Sequence, residues 1–299
     1  MYDQKLITLS DLGITYGPIL TELKDHSVKS LGKYVGKLQE LWQFPSDHLP
    51  IGLNLDEITI ASWNVFDAKH MRWIIDKDAQ GLKKSLIVNE HIYIEQSGLT
   101  IRDKRVAQVI HSLLRDIVAL QEISKPLLIE LTSILPSNFI ILSHGSNALI
   151  FNQELFELVE AHAITNIFAT ETDRSFQNII LERRIDAKKF RLINVHIPGD
   201  PSKPSRFEFG NYLIDTFDPE LTTLALGDMN FNELKMREAI PTKRFTILSP
   251  YCTNIEPRTF MSKAIDHFIV HPESSDTKIE TLSPNNLLFG LQTLVDLLH

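Results

Sequence analysis

SDHLPIGLNLDEITIASWN, residues 46–64, is the stretch whose reading decides the fold. Leu49-Pro50-Ile51-Gly52-Leu53 is apolar and extended, because Pro50 pushes the residue before it toward β or polyproline geometry. Asn54-Leu55-Asp56-Glu57 carries turn chemistry, and Ile58-Thr59-Ile60-Ala61 returns as a β-branched strand ending in Ser62-Trp63-Asn64. A hairpin centred on Leu55-Asp56 sets Asp47 and His48 opposite Asn64 and Trp63, with facing Cα atoms about 5 Å apart. A carboxylate, an imidazole and an amide then meet at one rim of a sheet.

Composition bounds what this rim can belong to. The 299 residues are 43% apolar, enough to bury a real core. No run approaches the roughly 18 apolar residues of a membrane helix. The opening MYDQKLITLSD has an early Asp and no apolar h-region, so it does not read as a secretory signal. Cys252 is the single cysteine, which rules out an internal disulfide and suits a reducing, cytoplasmic setting. A net charge of −8 without a long basic block argues against tight non-specific DNA binding, while leaving room for a local basic groove.

Strands and helices alternate after the hairpin, but hairpins are plentiful. Helical periodicity is expected over 102–115, 125–135, 205–217 and 287–298, and more weakly over 19–43, where Gly32 and Gly36 interrupt it. Buried strands are expected over 116–122, 139–142, 148–151, 175–181, 190–195, 221–226 and 264–270. Residues 67–100 have no clean period and read as an insertion. The pattern fits an α/β chain built as a two-sheet β-sandwich flanked by helices better than a purely parallel, doubly wound sheet.

Polar residues follow the apolar strands: Asn64, Glu122, His196, Asp228 with Asn230, and Asp266 with His267. Each alone has an ordinary reading as a turn, a cap or a satisfied histidine. Together they offer hard oxygen donors, imidazoles and amides, with too few soft ligands for structural zinc. That inventory suits Mg²⁺-assisted attack on phosphorus, with Mn²⁺ as an alternative ion.

The motifs SWN (62–64), LQE (120–122), NVH (194–196), GDMN (227–230) and AIDHFIV (264–270) resemble those of the endonuclease/exonuclease/phosphatase superfamily, the fold of DNase I. HGSNALIFNQELFELVE (144–160) resembles that family's central strands. Such chains end in a strand opening with Ser-Asp-His-x-Pro. Here that motif is Ser46-Asp47-His48-Leu49-Pro50, ahead of the first strand. The resemblance therefore implies a circularly permuted member, a single domain whose core spans 46–271 in rotated order between extensions 1–45 and 272–299. A truncated chain with a chance SDHLP is the competing account.

The resemblance also implies roles. Glu122 is the principal metal ligand, with Asn64 beside it and Asp47 facing the metal. Asp228 positions or deprotonates the attacking water and Asn230 helps hold it. His48 touches the scissile phosphate and is oriented by Asp266, while His196 is a second catalytic histidine. His267 is structural. Asn194 is a substrate contact or a strand-end hydrogen-bonder. Arg174 and Arg206 are candidate phosphate contacts, and each could equally be a surface arginine.

The resemblance implies a phosphate-ester substrate, with nucleic acid first among the candidates. The family includes nucleases, tyrosyl-DNA phosphodiesterases, sphingomyelinases and phosphatases, and the fold does not choose among them. The inositol branch's Pro-x-Trp-Cys-Asp-Arg signature is absent. A phosphatase or phospholipase-like hydrolase is the alternative, and a binding module on a retired fold is the reading from another class. Trp73 within 67–100 either stacks on a base or simply packs.

Overall fold

The computed structural model describes residues 46, 48, 50–67, 93–94, 99–165, 167–168, 174–200, 202–241, 243–249, 254–255, 262–263 and 265–271. Asp47, Trp73, the 19–43 and 287–298 periodicities and both extensions lie outside the described residues.

Two mixed sheets carry the fold. The first has five strands: β1 (Ile51–Leu55), β2 (Ile58–Asn64), β5 (Ile117–Gln121), β7 (Asn147–Asn152) and β6 (Phe139–His144), in the spatial order β1-β2-β5-β7-β6. The second has six: β12 (Thr246–Leu248), β15 (Asp266–His271), β11 (Thr222–Asp228), β10 (Lys189–His196), β9 (Ser175–Arg183) and β8 (Phe156–Thr165), in the order β12-β15-β11-β10-β9-β8. Two short pairs, β3 (Tyr93–Ile94) with β4 (Leu99–Thr100) and β13 (Asn254–Ile255) with β14 (Ser262–Lys263), stand apart. Helices α1 (Ile101–Ser112) and α2 (Lys125–Ile134) pack on the first sheet, and α3 (Ser205–Asp215) and α4 (Glu233–Ala239) on the second. No helix among the described residues is long and apolar enough to cross a membrane.

The pleat sorts the side chains. Ile58, Ile60, Ile117, Ala119, Phe190, Leu192, Leu224, Leu226, Phe268 and Val270 fill the space between the sheets. Their neighbours Trp63, Val118, Leu120, Val195, Ala225 and Ile269 pack outward under the helices. Each Ile, Leu or Phe so buried contributes about 1.5–3 kcal/mol. These strands are covered on both faces, so they read as continuous apolar runs rather than as alternating ones.

The hairpin forms with a register different from the expected one. Ile51 pairs with Ser62 and Leu55 with Ile58, so the turn is Asp56-Glu57 rather than Leu55-Asp56. Both turn residues have positive φ, 49° and 67°, the left-handed geometry of a two-residue turn matched to strand twist. The shift moves each partner by two positions, which preserves the face every residue presents. Strand β8 runs on to Thr165, beyond the 144–160 stretch that the resemblance marked as strands, and β12 and α4 were not anticipated. β8 is an exposed edge strand with a register break between Leu158 and Glu160, which spoils the alternation that would reveal it.

Glu57 is exposed, and a non-glycine residue at φ 67° is strained. Glu57→Gly should therefore raise stability by about 0.5–1 kcal/mol in urea unfolding. Asp56, which pairs with Lys188, is retained in that variant. An unchanged or lower midpoint would contradict the turn geometry.

Candidate active site

The inward parity of the core strands continues one step beyond their apolar residues. Asn64 follows Ile60 and Ser62 on that face, Asp228 follows Leu224 and Leu226, and Asp266 precedes Phe268 and Val270. All three are at most 1% exposed. Glu122 lies one residue beyond β5, at φ 58°, and Asn230 two beyond β11, at φ 55°. Phe66, after β2, adopts φ 59°. Left-handed geometry costs a non-glycine residue about 1–2 kcal/mol, and three such residues cluster at one rim. Gly227 shows how tight the packing is: its φ is 137°, and a Cβ there would lie 2.1 Å from the Val195 carbonyl oxygen.

His48 reaches this rim from the other end of the chain. Strict alternation along β1 would send odd positions inward, but the backbone ahead of Ile51 is irregular at Pro50. Three bonds dock the segment: Ser46 Oγ donates to Asn64 O (2.7 Å), His48 N to Ser46 Oγ (3.0 Å), and Trp63 Nε1 to His48 O (2.9 Å). Ser46 and Trp63 therefore build the site without being among its expected members. Their signal was present in the same SDHLP and SWN motifs. His48 Nδ1 lies 2.9 Å from Asp266 Oδ2, which holds the proton on Nδ1 and turns Nε2 toward Asp228 Oδ2 at 3.6 Å.

The remaining groups close around Asn64. Its Nδ2 donates to Asp228 Oδ2 (2.9 Å) and Glu122 Oε1 (3.2 Å), while its Oδ1 accepts from Phe66 N (2.9 Å). Glu122 Oε2 accepts from Asp67 N (3.0 Å). Asn230 N donates to Asp228 Oδ1 (2.8 Å), and Asn230 Nδ2 ties down the loop after β10 through Ile197 O (2.8 Å). His196 Nε2 stands 3.5 Å from Asp228 Oδ2 and 3.6 Å from Glu122 Oε1. The Arg174 guanidinium lies against that ring, with Nη1 2.6 Å from Nδ1 and 2.7 Å from Nε2.

His48, His196, Asn64, Glu122, Asp228, Asn230, Asp266 and Arg174 are thus brought together. Arg206 is not. Its guanidinium pairs with Glu238 (3.1 Å) and stacks on Phe207 and Phe231, so it braces α3 against α4. Asn194 is also corrected as a substrate contact: it is 0% exposed and its amide is spent inside the sandwich. His267 faces away from the site, with Nε2–H donating to Phe231 O (2.7 Å) and Nδ1 accepting from Ser249 Oγ (2.8 Å). Burial holds its pKa below the usual value, consistent with a neutral structural ring.

Burial pushes the Asp228 carboxyl up to about 7, and the charges of Asp266 and Glu122 push the same way, against the His48 charge and the Asn64 hydrogen bond. Three carboxylates in so small a volume form an anionic, partly desolvated nest. His48, Asp228 and Asp266 offer ligand atoms within 4.8 Å of one another. Carboxylate oxygens are hard donors of the kind a Mg²⁺-like cation takes, and Asp228, Asp266 and Glu122 bring them to one rim, so the residues fit such an ion.

No family model matches the sequence, and no curated protein matches it. Solved structures do, and the likeness shows a two-sheet fold shared with endonuclease/exonuclease/phosphatase proteins. The endonuclease/exonuclease/phosphatase from Bacteroides vulgatus aligns with a TM-score of 0.52 at 16% identity, covering 72% of this chain and 87% of that one. A mannosyl-6-phosphatase from Bacteroides thetaiotaomicron aligns with a TM-score of 0.52 at 17% identity, covering 75% and 95%. A humanized TDP2 of D. rerio aligns at 0.51 and 12%, covering 77% and 86%.

The Asp228 shift makes a prediction about the cation-free chain. A carboxyl whose pKa rises on folding contributes stability at low pH, and that contribution is lost as pH climbs from about 4 through about 7. The slope for one proton is at most about 1.4 kcal/mol per pH unit. In chelator, the stability of Asp228→Asn relative to wild type should therefore improve from pH 4 to pH 8. A difference that stays constant across that range would show that Asp228 is not titrating as the geometry requires.

Proposed function

We propose that this chain is a divalent-metal-dependent phosphodiester hydrolase of nuclease type. The observation that carries the reading is the convergence of the His48–Asp266 pair, Asp228, the Asn64–Glu122 pair and His196 at one rim of the sandwich.

Glu122 would hold the cation, Mg²⁺ or in its place Mn²⁺, while Asn64, expected as a second ligand, turns its NH₂ group to Glu122 and Asp228 and fixes the aim of both carboxylates. Bound there, the ion supplies Lewis-acid neutralisation of the phosphoryl oxygens. The chain's own groups do the rest. Asp228, held by Asn64 and Asn230, orients the attacking water and accepts its proton as the new P–O bond forms. His48, aimed by Asp266, presents Nε2 to the scissile phosphate, and in its imidazolium form it protonates the departing oxygen as the ester bond breaks. General acid–base help of this kind contributes about 10²–10⁴ in rate. His196 and Arg174 supply donors to the phosphoryl oxygens.

The order of the motifs is read as a circular permutation. The Asp56-Glu57 turn joins β1, the strand that follows the His48 segment, directly to the strand that bears Asn64, and the two are neighbours in the sheet. That proximity is what makes such a rearrangement sterically cheap. A second substrate class, small phosphate monoesters, is favoured by the likeness to a mannosyl-6-phosphatase along 95% of that protein.

Glu122→Gln should lower hydrolysis by about 10²–10³-fold while leaving the unfolding midpoint nearly unchanged, since it removes one charge from a crowded anionic cluster. His48→Ala should lose activity on a comparable scale, as expected if the segment ahead of β1 supplies the missing imidazole. Turnover is measured with Mg²⁺ on single-stranded RNA, DNA, sphingomyelin, an inositol phosphate and mannose 6-phosphate. Hydrolysis of the monoesters alone would move the assignment to a phosphatase. Full activity in Glu122→Gln at saturating Mg²⁺ would remove Glu122 from the site.

A further inference from the structure

Directly beneath the site the sandwich core stops being apolar. The ladder between β5 and β7 ends at Leu120 opposite Ala148, and Asn194 from the facing sheet reaches across into the break. Its Nδ2 lies 2.9 Å from Ala148 O, 3.2 Å from Leu120 O and 2.9 Å from Gln177 Oε1. Two of these are backbone carbonyls that can only accept, so the NH₂ group must face them. Asn194 Oδ1 accepts from Gln121 Nε2 (2.8 Å), and Gln121 Nε2 also lies 3.2 Å from Ser62 Oγ. Gln177 continues the chain of bonds to Leu142 O (2.8 Å). Ser62, Gln121, Gln177 and Asn194 are all buried.

Three members of this layer sit next to a strand end that bears a site residue. Ser62 lies two before Asn64, Gln121 one before Glu122, and Asn194 two before His196. Gly227, one before Asp228, closes on the same layer: a Cβ added there would come within 3.1 Å of Gln121 Nε2. Burying amides costs free energy that apolar side chains at the same positions would not require. One level deeper, Ile60, Ala119, Leu192 and Leu224 fill the equivalent space with hydrocarbon. Apolar contact is non-directional, whereas a bonded amide network fixes both separation and orientation.

We propose that Asn194 and Gln121 are positioning residues: the amide of Asn194, wedged between Leu120 and Ala148 and tied to Gln121, sets the distance and aim of the strand ends that carry Glu122 on one sheet and His196 and Asp228 on the other. This rests on the hydrolase reading above. Gln121 is the last β-residue before Glu122 turns into the left-handed region, so its side chain anchors the backbone where that turn begins. Without the wedge the two sheets still pack through their apolar layer, but the carboxylates and histidines lose their mutual register. A misplacement of about 1 Å at a reacting centre costs on the order of 10²-fold in rate.

The test compares Asn194→Leu and Gln121→Met with Leu181→Ala, a cavity in the same inter-sheet core at the opposite end of the strands. Urea unfolding matches the variants for stability. Turnover is measured on whichever ester the wild type cleaves, and Mn²⁺ affinity is measured by calorimetry on the full chain. In Asn194→Leu, kcat should fall on the order of 10²-fold with KM within about threefold, and Mn²⁺ affinity should weaken about tenfold or more. Gln121→Met, which keeps the Asn194 wedge but cuts its tie, should lose about tenfold in kcat and remains informative if Asn194→Leu does not fold. Leu181→Ala should keep kcat and Mn²⁺ affinity within about threefold at comparable stability loss. Unchanged kcat and affinity in Gln121→Met, or equal losses in Leu181→Ala, would overturn the positioning role. A wild type that binds Mn²⁺ yet cleaves no ester would refute the hydrolase reading alone, because the affinity comparison can still be made. A wild type with neither property would remove both.

Discussion

The pleat of two facing sheets governs this protein. Alternate residues of β2, β5, β10, β11 and β15 point into the space between the sheets, apolar in its depth and giving way to Ser62, Gln121 and Asn194 toward the strand ends. The same alternation carries one step further places Asn64, Asp228 and Asp266 over the rim of that layer, with Glu122 and His196 beside them. A dry core below and a polar cluster above are therefore consequences of one geometric rule. The apolar layer excludes water from beneath the carboxylates, and that exclusion raises the Asp228 pKa.

This arrangement is costly. Three carboxylates crowd one rim, and Glu122, Asn230 and Phe66 occupy left-handed backbone conformations that their side chains disfavour. The surrounding bonds hold these conformations: Val65 N to Gln121 O, Ile123 N to Ser146 O, Ile197 N to Asp228 O and Met229 N to Ile265 O, all at 2.8–3.0 Å. Strain and like charge held in place by a rigid frame are the features from which the functional reading of this rim is argued. The amide layer of Gln121 and Asn194 extends the same economy inward, giving up apolar burial for directional bonds.

The order of the motifs along the chain matters less than their order in the sheets. β1 lies beside β2 because a two-residue turn suffices to connect neighbouring antiparallel strands. His48 therefore meets Asp266 across 218 residues of sequence at hydrogen-bond distance. The solved structures of this fold align over most of their lengths at identities of 12–17%, a level at which layer architecture persists while side chains diverge.

Much of this was present in the sequence itself. Apolar runs of strand length, each ending in a polar residue, determined the two-sheet architecture and nominated Asn64, Glu122, His196, Asp228 and Asp266, because burial on both faces leaves an unmistakable composition. Local chemistry also marked the hairpin. Its register escaped by two residues, since Asn54 and Asp56 are both acceptable turn formers and only strand pairing selects between them. Exposed β8 left no periodic signal once its register broke between Leu158 and Glu160. Whether an arginine faces a ligand or a neighbouring helix was decided by packing: Arg174 lies on His196, whereas Arg206 is taken by Glu238. Asn194 could be a ligand or a strand-end hydrogen-bonder on sequence grounds, and only the break between β5 and β7, formed by strands far from it in the chain, turned its amide inward. Sequence pattern reports which face of an element is buried; which partner waits on that face is a property of long-range contacts alone.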